Sequence, residues 1–246
     1  EAPAPPSSSP PQTDVAALPQ SVEPPAGSSF PPPVDDLTPV PGGRIEEMNA
    51  FVRGWRGGDC FVARALALNA SSARIEGVAP APEPLVALND AFRSKFGFEP
   101  EIGAWLIAPP QCAVTQFLSR ARLDPAAAPR LELGAANLRA GQHLTGVVEA
   151  PADRHIEVWR ISEAGEAQNI TALVRTVTRS FNLRVEAGAG AGPKPQIILA
   201  FTSTQPLAAL KLPRPAGAEK ALAAVLSESQ ARGLPLGVTL RVFNVE

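Results

Sequence analysis

The chain has 246 residues, of which 45% are apolar and 19% charged, and its formal net charge is -2. Such a composition supplies one large hydrophobic core or two small ones and excludes a chain that is disordered throughout. The near-neutral balance and scattered arginines exclude the clustered cationic surface that nucleic acid or an anionic membrane rewards.

Residues 1–43 differ from the rest. They hold 13 of the 28 prolines, five acids (Glu1, Asp14, Glu23, Asp35, Asp36) and no Lys or Arg, which leaves +3 on residues 44–246. Runs such as Pro31-Pro32-Pro33 lack backbone donors and fix φ near the polyproline value, so neither helix nor sheet forms across them. The segment reads as a semi-extended linker reaching roughly 3.1 Å per residue. The chain opens at Glu1 rather than at an initiator Met, so the expectation is that a signal or membrane anchor lay upstream. No apolar run of about 18 residues, the length a spanning helix needs, occurs within it.

From Arg44 to Arg56, Ile45, Met48, Val52 and Trp55 recur at helical spacing, and Gly57-Gly58 stops the pattern. Cys60 to Leu68 places Cys60, Val62, Leu66 and Leu68 on one strand face, interrupted by Arg64. Asn69–Ser72 reads as a turn into a second strand, Ala73–Val78. Pro82 and Pro84 introduce a helix with Leu85, Leu88 and Phe92 in one stripe, ending near Gly97. A strand from Glu101 to Ile107 and a helix from Gln111 to Arg122, burying Val114, Phe117 and Leu118, complete the unit. The order αββαβα predicts a two-layer α+β domain over residues 44–123.

Residues 124–129 form a short spacer. Beyond it lie β-patterned runs at Leu131–Leu133, Leu144–Glu149, His155–Ile161, Arg179–Val185 and Gln196–Thr204, separated by close turn signals. They predict an antiparallel β-sandwich over residues 130–246. Ile197–Phe201 is continuously apolar and predicts a central strand. A helix over Ala216–Ala231 and a strand over Gly237–Val245 follow, the strand expected at an edge with the helix as crossover. The fold class is therefore α+β, a small αββαβα two-layer domain followed by an antiparallel β-sandwich with a C-terminal helix and strand.

Cys60 and Cys112 are the two cysteines. In a reducing compartment such a pair without a CxxC motif sits as inert core residues. In an oxidising one it closes a loop of about fifty residues, worth roughly 4 kcal/mol. Both stand at element edges, which favours pairing.

Gly58-Asp59-Cys60-Phe61, Ile75-Glu76-Gly77, Leu88–Phe92, Gly97-Phe98-Glu99 and Gln111-Cys112 mark the first half. Arg130–Gly134, Asn137–Gly141, Phe181–Arg184 and Pro195-Gln196 mark the second. Together these strings resemble the extracytoplasmic C-terminal region of certain membrane-anchored bacterial serine/threonine protein kinases and caspase-like proteins. The resemblance spans residues 44–246 and includes neither the kinase nor the protease domain. It implies a periplasmic Pro-rich linker, a disulfide between Cys60 and Cys112, and a sensory or protein-interaction role.

Catalytic constellations are not legible. His143 and His155 are the two histidines. Were Leu144–Glu149 and His155–Ile161 a hairpin, they would lie near its opposite ends, too far apart to share a metal. Asp153 adjoins His155 without a serine or a GxSxG elbow. The Gly188–Lys194 run fails as a phosphate loop, because Lys194 follows Pro193 and a strand, not a helix, comes next; it reads as a hairpin loop. Glu46-Glu47, Glu99 with Glu101, and Glu163 with Glu166 sit at helix starts or loops. Asn69-Ala70-Ser71 and Asn169-Ile170-Thr171 match the glycosylation pattern, which in a bacterial protein is usually chance.

Trp55, Trp105 and Trp159 are expected in cores. Trp105 lies opposite the face of Ile102, Ala104 and Leu106, so it either covers the second sheet face or, beside Arg64, marks a contact surface. The expectation is a non-catalytic module without cofactor or metal, extracytoplasmic, with Trp105 and Arg64 as its candidate contact surface. Its partner would be a cell-envelope protein or small ligand, not nucleic acid, and it would meet the membrane only through an anchor before Glu1. A structural envelope component and a hydrolase with an unfamiliar site are the rivals.

Overall fold

The computed structural model describes residues 41–186 and 192–246, so residues 1–40 of the expected linker lie outside the described residues, while residues 41–43, assigned to it, belong to the first helix. Helix α1 (Pro41–Gly54) begins three residues before Arg44 and buries Met48 and Val52. Strands β1 (Val62–Leu68) and β2 (Ala73–Ala79) pair antiparallel. Helix α2 (Glu83–Phe96) then carries the chain over to β3 (Glu101–Leu106), which pairs parallel with β2. A parallel partner demands such a crossover. Leu85, Leu88, Phe92 and Phe96 bury the α2 stripe, and the helix stops at Gly97, whose φ of 80° is left-handed and whose N–H donates to Arg93 O at 2.9 Å. Helix α3 (Cys112–Arg120) completes the αββαβα order.

The expected stripe on β1 is split. The register shifts between Ala65 and Ala67, a β-bulge that inserts one residue and reverses which way the side chains point. Cys60 and Val62 accordingly pack on the core shared with the second half of the chain, while Leu68 packs with α1 and α2.

The second half begins with β4 (Arg130–Leu133), β5 (Asn137–Leu138), β6 (His143–Glu149), β7 (His155–Ile161), β8 (Glu166–Asn169) and β9 (Ser180–Arg184). Then come β10 (Lys194–Ser203), the short helix α4 (Ala208–Lys211), β11 (Ala216–Gly217), helix α5 (Ala218–Ala231) and β12 (Gly237–Val245). One sheet has the order β4-β6-β9 and a larger one β11-β8-β7-β10-β12-β5. The two face each other across Leu131, Leu144, Val148 and Phe181 on one side and Val158, Ile198, Ala200 and Phe243 on the other. This is the expected sandwich.

Its connections correct three expectations. β6 and β7 do not form a hairpin, because β6 pairs with β4 and β9 while β7 pairs with β8 and β10. Likewise β9 and β10 lie in different sheets and do not pair with each other; residues 187–191, most of the expected loop, lie outside the described residues. β12 is interior, between β10 and β5. Leu240 and Val242 enter one core and Phe243 and Val245 the other, and a strand buried on both faces is poorly suited to an edge.

The far face of the large sheet is covered by α3, α4 and α5. Trp159, Ile161, Leu199 and Phe201 meet Val114 and Phe117 of α3 and Leu222 and Val225 of α5. Val78 of β2 enters the same core, so apolar packing runs across the 124–129 spacer. The spacer itself is pinned to the large sheet: Thr239 Oγ1 donates to Pro129 O at 2.6 Å, Thr202 Oγ1 donates to Ala127 O, and Asp124 N–H donates to Leu236 O at 2.8 Å. A Cβ at residue 237 would lie 2.0 Å from Ala127 O, which is why glycine occupies it. Glu228 of α5 accepts the N–H groups of Ala209 (2.8 Å) and Ala208 (3.0 Å), and these bonds hold its carboxyl below the usual carboxylate range.

Candidate interaction surface

The small sheet has two unlike faces. Ala73, Ile75 and Ala79 of β2 face α1 and α2. The alternate residues Glu76 and Val78 face the other way, and the register brings Arg64 and Val62 of β1 and Gly103 and Trp105 of β3 alongside them. Glu76 sits in the middle strand with its side chain 8% exposed, and such a carboxylate requires partners. It has three. Arg64 Nε donates to Oε2 at 2.6 Å, Trp105 Nε1 donates to Oε1 at 3.0 Å, and Arg241 Nη1 of β12 lies 3.6 Å from Oε2.

Trp105 and Arg64 therefore meet on one carboxylate, and Arg241 ties that carboxylate to the large sheet. Two guanidiniums around one acid leave a net positive charge with about a third of each arginine side chain open to solvent. Burial lowers the Arg241 pKa from its ordinary value; Glu76 opposes that shift and Arg64 reinforces it. Trp105 is half-buried, with part of its ring against the core that α3 and the large sheet share. Trp55 packs with Phe51 beside α2, and Trp159 is wholly buried with its Nε1–H on Leu210 O at 2.7 Å.

Removing the Glu76 carboxylate strands the Trp105 indole N–H and part-buried Arg241. Glu76→Ala is expected to cost about 2–3 kcal/mol, below the usual figure for a buried pair because both arginines reach water. Glu76→Gln, which keeps an acceptor for the indole, is expected to cost less. Chemical denaturation of the two variants measures the difference, and equal losses would remove Trp105 from the account.

Cys60 and Cys112 form a disulfide with Cα atoms 4.8 Å apart. Cys60 precedes β1, and Cys112 opens α3, whose buried side chains belong to the core over the large sheet. Next to it Gln111, wholly buried, donates from Nε2 to Pro195 O (2.9 Å) and Ser162 O (3.1 Å) and accepts the Ala108 N–H (2.9 Å). The covalent link thus joins the small sheet to a helix that Gln111 rivets to β7 and β10. The sequence marks Gln111 as a helix start and as part of the Gln111-Cys112 string, without its bonding role; glutamine directly before a cysteine, after two prolines, is the available signal.

The other candidates disperse. His143 stands opposite Arg184 in the smaller sandwich sheet and His155 opposite Ser203 in the larger. Among the described residues no group of three or more His, Cys, Asp or Glu could hold a metal ion. Glu47 pairs with Lys95 at 2.9 Å, Glu101 with Arg74 at 3.4 Å and Glu163 with Lys194 at 3.4 Å, while Glu99 accepts from Asn89 at 3.1 Å. Asn69 caps its own turn by accepting from Ser72 N–H at 2.8 Å. Asn169 Nδ2 is engaged with Glu157 at 2.8 Å and with Leu210 O and Lys211 O at 2.9 Å, contacts a glycan there would break. Among the described residues no helix is long and apolar enough to cross a membrane.

No family model matches this chain, and neither a curated protein nor a solved structure matches it.

Proposed function

We propose that this chain is a non-catalytic interaction or sensing module on the outer side of a bacterial cytoplasmic membrane. In this reading it is carried on its Pro-rich linker as the extracytoplasmic part of an anchored protein such as the kinases and caspase-like proteins that its motifs resemble. The observation that carries the reading is the Arg64–Glu76–Trp105 cluster. A half-buried tryptophan and a part-exposed arginine are locked in place by a shared buried carboxylate, so they meet a partner without first losing side-chain freedom. The disulfide supports the compartment, because such bonds persist where thiols are not kept reduced.

The test is site-specific photocrosslinking in cells of the source organism, with the photoreactive residue at Leu106, which is 47% exposed beside Trp105 and leaves the cluster intact, and, as a control, at Val177, which is 94% exposed. A cell-envelope protein captured from position 106 and absent from position 177 is the expected result. No adduct, or the same adducts from both positions, would contradict the reading.

A further inference from the structure

Strand β3 is an edge of the small sheet, with β2 its one partner among the described residues. Ile107 N–H donates to Ala79 O at 3.0 Å. In a parallel pair, alternate residues direct both backbone groups to the same neighbour, so Gly103, Trp105 and Ile107 turn toward β2. Ile102, Ala104 and Leu106 then turn their N–H and C=O groups outward, and no hydrogen bond among the described residues engages them.

The other edges are protected in ways that β3 is not. β1 carries the bulge and lies against α1, β4 presents Arg130 and Glu132, β9 presents Asn182 and Arg184, and β5 and β11 are two residues long. Charges, bulges and shortness are the usual defences of an edge. After Glu101, which is paired with Arg74, β3 continues Ile102-Gly103-Ala104-Trp105-Leu106 without a charge, and Leu106 is 47% exposed.

We propose that β3 receives an extended peptide segment of a partner protein as an added strand. This inference rests on the interaction reading above and names the mode of binding beside Trp105. The size of the edge selects the occupant. Six residues at roughly 3.3 Å each give a strip about 20 Å long and about 10 Å across, or roughly 400 Å² over both sides. A stable interface between two folded copies needs about 1,200 Å². A single extended segment is held instead by main-chain hydrogen bonds, with alternate side chains against the sheet. The guest's alternate positions facing Ala104 and Leu106 are apolar, because no charge along that stretch would offset a desolvated one. Pro109 and Pro110 lack N–H groups and end the ladder just beyond Ile107.

The probe is a synthetic peptide of sequence EIGAWLI, a copy of residues 101–107 that places Ile against Leu106 and Trp against Gly103 when it pairs antiparallel about Ala104. Titrated into the full, isotope-labelled chain, it is expected to shift the amide resonances of Ile102, Ala104 and Leu106. Ala104→Pro removes one outward donor without touching a bond to β2 and is expected to weaken binding at least about tenfold, or roughly 1.4 kcal/mol. Ala104→Lys, at an exposed site, provides a second variant with the same expectation should proline disturb the sheet. Unshifted edge amides, or undiminished binding by both variants, would overturn the proposal. A concentration-dependent dimer that both variants abolish would overturn the peptide partner in favour of a second copy. A position-106 crosslink that survives in the two variants would sink strand addition while leaving the interaction role standing.

Discussion

Gln111→Leu is expected to lower the free energy of unfolding by about 3–5 kcal/mol. The glutamine is wholly buried where the end of β7, the start of β10 and the turn into α3 converge. Leucine keeps most of the volume and none of the bonds. Ser162 O would still accept from Gly165 N–H at 2.9 Å, but Pro195 O and the Ala108 N–H would lose the partners seen here. Each stranded buried group costs roughly 1–3 kcal/mol, and a leucine in a polar niche adds imperfect packing. Urea unfolding should show a lowered midpoint at unchanged m-value. A change below about 0.5 kcal/mol would mean that Gln111 fills space rather than joins elements.

Removing the disulfide, as Cys60→Ser with Cys112→Ser, is expected to cost about 4 kcal/mol, since the bond closes a loop spanning a sequence separation of 52. The loss should be unevenly distributed. The α3 end of the bond remains held by Gln111 and by Val114 and Phe117 in the core over the large sheet. The β1 end depends on a smaller core of α1, α2 and the three-stranded sheet. Amide hydrogen exchange of the double variant should therefore accelerate most in β1, β2 and β3 and least in β10 and β12. Uniform acceleration throughout would show that the small sheet has no separate stability for the bond to protect.

Local pattern was legible in the sequence and non-local pairing was not. The α2 stripe of Leu85, Leu88 and Phe92 with its Gly97 stop, and the continuously apolar β10, both follow from periodicity and backbone preference. Which strand joins which sheet is decided by side chains far apart in sequence. A short turn after β6 looks the same whether the chain doubles back or crosses to the facing sheet, and here it crosses. The bulge at Leu66 was hidden because one inserted residue leaves composition unchanged while reversing the faces. Strands β5, β8 and β11 are too short, or too polar in β8, to announce themselves.

The cluster around Glu76 was half visible. Trp105 and Arg64 stood out as residue types, but their meeting depends on the β1–β2 and β2–β3 registers, and Glu76 between them stood out only within the Ile75-Glu76-Gly77 string, with no partner assigned to it. Arg241, 165 positions downstream of Glu76, reaches the same carboxylate only because β12 is interior and lies behind the small sheet. An acid at the centre of a strand flanked by Ile75 and Gly77 was the available signal, since such a residue must find cations when buried.

The disulfide joins the small sheet to the rest of the chain, and the proposed location outside the cytoplasm rests on it. It is tested most directly by the intact mass of the protein isolated from its own cells under thiol-blocking conditions, before and after reduction. A gain of about 2 Da on reduction, with no label on Cys60 or Cys112 beforehand, is the predicted result. An unchanged mass, with both cysteines blocked from the start, would contradict the account.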